Sequence, residues 1–160
     1  MPFDGQEVYQ LARELGLPDL TEVALGAGVM SVLEVSAYYG GRRLRHSVAR
    51  VIEYQLGEVE LRVAYEGLRL RDSLRAWVDM ERMEKLNAVL LATRFAQLSH
   101  QPGLSYAERS LWLIQRAAGV HRHGLMLAAD RPEPPYSTIA NAIDDYLPEA
   151  IREVPLRSMR

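Results

Sequence analysis

Apolar positions recur along this chain with two different periods. Near the N-terminus Val8, Leu11 and Leu15 follow helical spacing, with Asp4 and Glu7 in capping-box positions and Phe3 and Val8 placed as a staple. Gly16 suits the left-handed residue that closes a helix, and Pro18 prevents continuation, so a helix over 5–15 is predicted. From Val29 to Tyr65 the period becomes two, β-branched residues are frequent, and Gly40, Gly41 and Gly57 punctuate the run. Three antiparallel strands in a meander are expected there.

If Gly40-Gly41 and Leu56-Gly57 are two-residue loops, counting outward from each turn fixes the register. The inner face then carries Val29, Leu33, Val35 and Ala37, then Leu44, Val48, Ile52 and Tyr54, then Val59, Leu61, Val63 and Tyr65. Glu34, Arg43, Arg45, Glu53, Glu58, Glu60, Arg62 and Glu66 fall on the outer face.

Asp72 or Ser73 can cap a second helix, and neither proline nor glycine interrupts the chain from Ser73 to Gln101. The second half of that stretch is apolar around most of its circumference. Ser105 and Glu108 form another capping box, predicting a third helix to about Ala118, with Gly119 ending it. Residues 120–129 fit either a fourth strand or more helix. After the stiff Arg131-Pro-Glu-Pro-Pro135 loop, Ile139, Ile143, Tyr146 and Ile151 outline a last amphipathic helix, reset at Pro148. The expected architecture is α+β and two-layer: an antiparallel three- to four-stranded β-meander with helices packed on one face, as one domain over 1–160.

Composition narrows the function classes. With 48% hydrophobic and 25% charged residues, the 160-residue chain is of globular type and long enough to hold a core without metal or disulfide. Cysteine is absent, which removes thiol chemistry and thiolate metal sites. The opening MPFDGQEVYQ carries no basic segment followed by an apolar one, and the longest apolar stretch, Val23 to Leu33, is about half of a membrane span. A cytoplasmic protein with no membrane contact is expected. The net charge of −2 is unevenly spread, because residues 40–75 hold eight arginines against five acids while both ends are acidic.

Catalytic signatures are lacking. Gly26-Ala-Gly28 lacks the third glycine of a dinucleotide loop and precedes a strand, and no G-x-S-x-G is present. His46, His100, His121 and His123 show no zinc spacing, so neither a metal nor a cofactor is expected.

Three constellations remain. The predicted register places Ser31, His46 and Arg50 on the aliphatic face, Ser31 opposite Arg50. This forms an anion-binding or catalytic pocket, a structural pair with Asp79 or Glu81, or a bulge at residues 50–52 that turns the arginine outward. The hairpin tip gathers Tyr38, Tyr39, Arg42, Arg43 and Arg45, a combination able to stack on bases and contact phosphates. Leu90, Leu91, Phe95, Leu98 and Trp112 supply apolar surface beyond what one small sheet covers, which suits a partner interface.

The expected function is that of a non-enzymatic accessory or adaptor protein acting through protein contacts of its helical layer, as a homodimer. The alternative is nucleic-acid binding through residues 38–45. A third reading is a small enzyme or anion-binding protein with a pocket near His46 and Arg50.

Overall fold

A computed structural model describes residues 3–41 and 43–156. The first predicted helix is present as two short turns, α1 (Gln6–Tyr9) and α2 (Leu11–Glu14), which break at Gln10. Its end follows the local signals, but the predicted capping box forms only in part, since Gly5 is the cap residue and Glu7 accepts from Tyr38. Asp4 Oδ1 accepts from the Gln6 N–H at 3.0 Å. Gly16 has φ +81°, and the Leu17 N–H returns to the Ala12 carbonyl. Asp19 then caps a further short helix, α3 (Leu20–Ala24), accepting from the Thr21 N–H.

Six strands follow: β1 (Val29–Tyr38), β2 (Ser47–Tyr54), β3 (Val59–Tyr65), β4 (Leu74–Trp77), β5 (Leu111–Ala118) and β6 (His121–Ala128). Between β4 and β5 lies α4 (Met80–Ala92), and after β6 comes α5 (Tyr136–Tyr146). All pairings are antiparallel, and the order β4-β3-β2-β1-β5-β6 leaves the ten-residue β1 hydrogen-bonded on both sides.

The predicted α+β class holds, but the sheet has six strands rather than three or four, and the meander ends at β4. The chain then crosses to the far side of β1 to add the β5–β6 hairpin. Helices cover both faces rather than one. Leu33, Val35, Val51, Leu61, Val63, Ile114 and Leu125 pack against Met83, Leu86 and Leu90 of α4 and against Ile139 and Ile143 of α5. On the opposite face Leu20 and Ala24 of α3 meet Val32, Ile52 and Ala117, while Val8 of α1 meets Leu111, Leu113 and Met126.

Two predicted helices give way to strands. The long helix from Ser73 starts late because Leu74 to Trp77 alternate as a strand, and Asp79 takes the cap, accepting from the Glu81 N–H. It closes at Arg94, left-handed at φ +57°. The helix predicted after Ser105 is β5. Ser105 Oγ does accept from the Ala107 N–H, but the turn goes no further, since the Leu-Trp-Leu-Ile run has its partner in the open edge of β1. Gly119 is a hairpin residue between Ala118 and His121 rather than a helix end. Residues 120–129 are therefore mostly strand.

The β1–β2 register differs from the counted one. Val35 pairs with Ala49 rather than His46, a shift of three residues, and any odd shift moves a whole strand to the other face. Val48, Arg50 and Ile52 thus leave the expected inner face, and Ala49, Val51 and Glu53 replace them. Gly40 lies in a turn but without a positive φ; glycine is needed there because a Cβ would run into the carbonyl oxygens of Tyr106 and Glu108. The second loop holds three residues, closed by Tyr54 N–H donating to Glu58 O, with Gly57 at φ +96°. A bulge between Val29 and Ser31 carries Val29 to the α3 side.

The last residues of the β6 edge are closed by the segment before β5. Gln101 N–H donates to Met126 O, Met126 N–H to His100 Nδ1, and Ala128 N–H to Gln101 Oε1. Burial, aided by the charge of His123, lowers the His100 pKa below its ordinary 6.5. The neutral ring is the one that can accept from Met126, so the unfolded chain binds the proton more readily. Stability is expected to be full above about pH 6.5 and to decline as pH falls below it. Melting temperature against pH for the parent and His100→Asn, which keeps an acceptor without a titrating ring, checks this. A shallower acid slope in the variant is the expected outcome.

Candidate functional site

The register that moves Arg50 builds a row of cross-strand neighbours on the face shared with the N-terminal helices. Arg75 of β4 pairs with Arg62 of β3, Arg62 with Arg50 of β2, Arg50 with Glu34 of β1, and Glu34 with Gln115 of β5. Residues paired in register project to the same side of the sheet. Three guanidiniums therefore stand side by side at one end of the row and an acid and an amide at the other.

The inner part of the row is closed. Arg50 Nε donates to Glu34 Oε2 at 2.8 Å, with the side chains only 6% and 2% exposed. Gln115 Nε2 donates to Glu34 Oε1, and Arg122 Nε donates in turn to Gln115 Oε1 at 3.0 Å. Arg122 also reaches Asp19 and Thr21 at 3.4 Å, which ties the chain of bonds to α3. Every charge in this segment is answered.

The outer part is open. Helix α3 packs on β1 and β5 and α2 on β2, while toward β3 only the short turn Leu70–Asp72 approaches. A cleft of about 380 Å³ remains. Its apolar walls come from Leu17, Pro18, Val23, Val48, Ile52 and Leu70, and its charges from Arg50, Arg62, Arg71 and Arg75; among the described residues no acid lines it. Arg62 shares Glu60 through Nε and a terminal nitrogen, both at 3.0 Å. Arg71 and Arg75 are exposed and make no ion pair among the described residues. Ser73 Oγ donates to Leu70 O. Such a cleft offers planar donor forks beside aliphatic surface, which suits carboxylates or phosphates carried on an apolar frame.

The predicted site residues are dispersed. Ser31 pairs with Glu53 rather than Arg50 and donates its hydroxyl to Glu53 Oε2, which Asn87 of α4 supports from Glu53 Oε1. His46 lies in the β1–β2 connection, accepting from the Tyr39 N–H and stacked on Tyr38 at 4.4 Å. Arg50 is structurally paired, but with Glu34 rather than Asp79 or Glu81, and without a bulge at 50–52. No common pocket unites the three.

The tip expected at 38–45 is not a free hairpin. Tyr39 is buried, Tyr38 donates to Glu7, and Arg45 donates to the Glu66 carbonyl. The segment around Leu44 is zipped to the C-terminal stretch through Arg45 N–H to Val154 O and Leu156 N–H to Arg43 O. Arg43 is exposed, and Arg42 lies outside the described residues. Leu90, Phe95 and Trp112 are in the chain's own core with Leu98 packed against it, so the expected apolar surplus is mostly covered internally; Leu91, 82% exposed, is the exception.

A wider hollow of about 840 Å³ runs past Tyr39, Arg43 and Trp112. There the Tyr39 phenol is pushed up to about 12, chiefly by burial and then by Glu153. Its charges are mixed, Arg43 and Arg109 against Asp130, Asp144 and Glu153, so it selects no single sign of ligand.

No known family model matches the chain, and no curated protein matches its sequence. No helix among the described residues is long and apolar enough to cross a membrane.

The closed part of the row carries the first test at this site. Arg50→Leu leaves Glu34 buried without its cation and is expected to cost about 3–5 kcal/mol, whereas Glu34→Met added to it recovers most of that loss. Urea unfolding of both variants measures the difference.

Proposed function

We propose that this chain is a binding module whose arginine cleft holds an acidic segment of a partner protein. The observation that carries the reading is the set of four arginines in one cleft that, among the described residues, no acid lines, two of them without an ion pair there. Guanidiniums bind carboxylates through paired, directional hydrogen bonds, and the aliphatic walls give apolar side chains of the same segment a place to bury. Charge-assisted bonds of this kind contribute about 1.5–3 kcal/mol each before screening.

The expected adaptor role is kept in this reading, but its contact surface moves. The helical layer has spent Leu90, Phe95 and Trp112 on its own core, and the tip has spent Tyr38, Tyr39 and Arg45 on internal contacts. Binding rather than reaction is favoured because the polar lining consists of guanidiniums and one hydroxyl already bonded to a carbonyl.

Fluorescence anisotropy with a labelled peptide of alternating glutamate and valine tests this. Binding should weaken with added salt and fall about tenfold or more in Arg71→Ala/Arg75→Ala, with little change in Arg43→Ala. Indifference to the double substitution would remove the cleft from the function. Preference for a single-stranded oligonucleotide over the peptide would move the reading to nucleic acid.

A further inference from the structure

Strand β4 ends the sheet on the side of the arginine cleft, and its main chain is only half used. The Val78 N–H donates to Val59 O at 2.8 Å, and the same register pairs Ala76 with Leu61 and Leu74 with Val63. In an antiparallel ladder the groups facing the neighbour belong to alternate residues. Leu74, Ala76 and Val78 therefore bond to β3, while the N–H and C=O of Arg75 and Trp77 point away from the sheet. Those groups make no hydrogen bond among the described residues. The opposite edge, β6, is engaged at Met126 and Ala128 by His100 and Gln101.

The side chains along the open edge are sorted by face. Arg75 and Trp77 stand on the cleft side beside Arg62, and Trp77 is 66% exposed. Leu74, Ala76 and Val78 stand on the other side, where Val78 belongs to the main core and Leu74 packs against it. A strand added here would place one residue opposite Arg75 with Arg62 behind it, the next residue of the same face opposite Trp77, and the residues between them against aliphatic surface.

We infer that the acidic segment binds by strand addition, as an extended stretch laid antiparallel along β4 with acids at every second position and apolar residues between. This rests on the acid-binding reading above. Affinity then comes from main-chain bonds to Arg75 and Trp77, and selectivity from the two faces. Added antiparallel, a residue directly opposite Arg75 shares its face and exchanges both main-chain bonds with it, so the acidic positions are the ones whose N–H groups donate to β4.

The peptide of alternating glutamate and valine is compared with two N-methylated forms, one modified at the glutamates and one at the valines. The glutamate-methylated form should bind at least tenfold more weakly, and the valine-methylated form like the parent peptide. Equal binding of all three overturns strand addition and leaves acid binding in the cleft standing. Loss confined to the valine-methylated form overturns the antiparallel arrangement. If the unmodified peptide itself fails to bind at low salt, the acid-binding reading falls and strand addition with it.

Discussion

The buried ion pair between Glu34 and Arg50 ties the central strand to its neighbour, and most of what distinguishes this molecule follows from that tie. Two charges in an apolar layer are tolerable only when they meet. A slip of one residue between β1 and β2 would separate them and turn every β2 side chain to the opposite face. Neither strand's aliphatic residues can enforce this alone, because all but the last residue of β2 are buried and its two faces read alike. The polar pair supplies the register that the apolar pattern leaves open. Gln115 and Arg122 then extend the constraint to β5, β6 and α3, so one chain of hydrogen bonds runs from β2 to β6 beneath the N-terminal helices.

The cleft is a by-product of incomplete coverage. Helices α4 and α5 blanket one face of the sheet, while α1, α2 and α3 are short and seat over β1, β2 and β5 on the other. Past that cover the row of register partners continues as Arg62 and Arg75, with Arg71 contributed by the turn before β4. Aliphatic residues at those positions would expose apolar surface. Guanidiniums at the same positions keep the face wet and give it one sign of charge.

Local features were legible in the sequence. The end of the first helix at Gly16, the alternation of β3 and the last helix with its reset at Pro148 depend on neighbours within a few residues, and all are present. The β1–β2 connection was not, because Gly40 is required by the carbonyls of Tyr106 and Glu108, more than sixty residues away, rather than by turn chemistry. Ser105 and Glu108 imitate a helix start, and only the vacant edge of β1 decides that Leu111 to Ala118 is a strand. The site was legible in the same measure. Arg50 stood out as a charge on an aliphatic strand, but its partner was hidden by the inverted face, and Arg62, Arg71 and Arg75 converge only once three strands are in register.

The central claim is that this register turns scattered arginines into one binding surface. It is tested most directly by following the arginine side-chain Nε–H resonances of the nitrogen-15-labelled protein while an acidic peptide is added. The account predicts saturable shifts at Arg62, Arg71 and Arg75, with Arg43, Arg45 and Arg109 unmoved. Shifts centred on Arg43, Arg45 or Arg109, or small shifts spread evenly over the arginines, would contradict it.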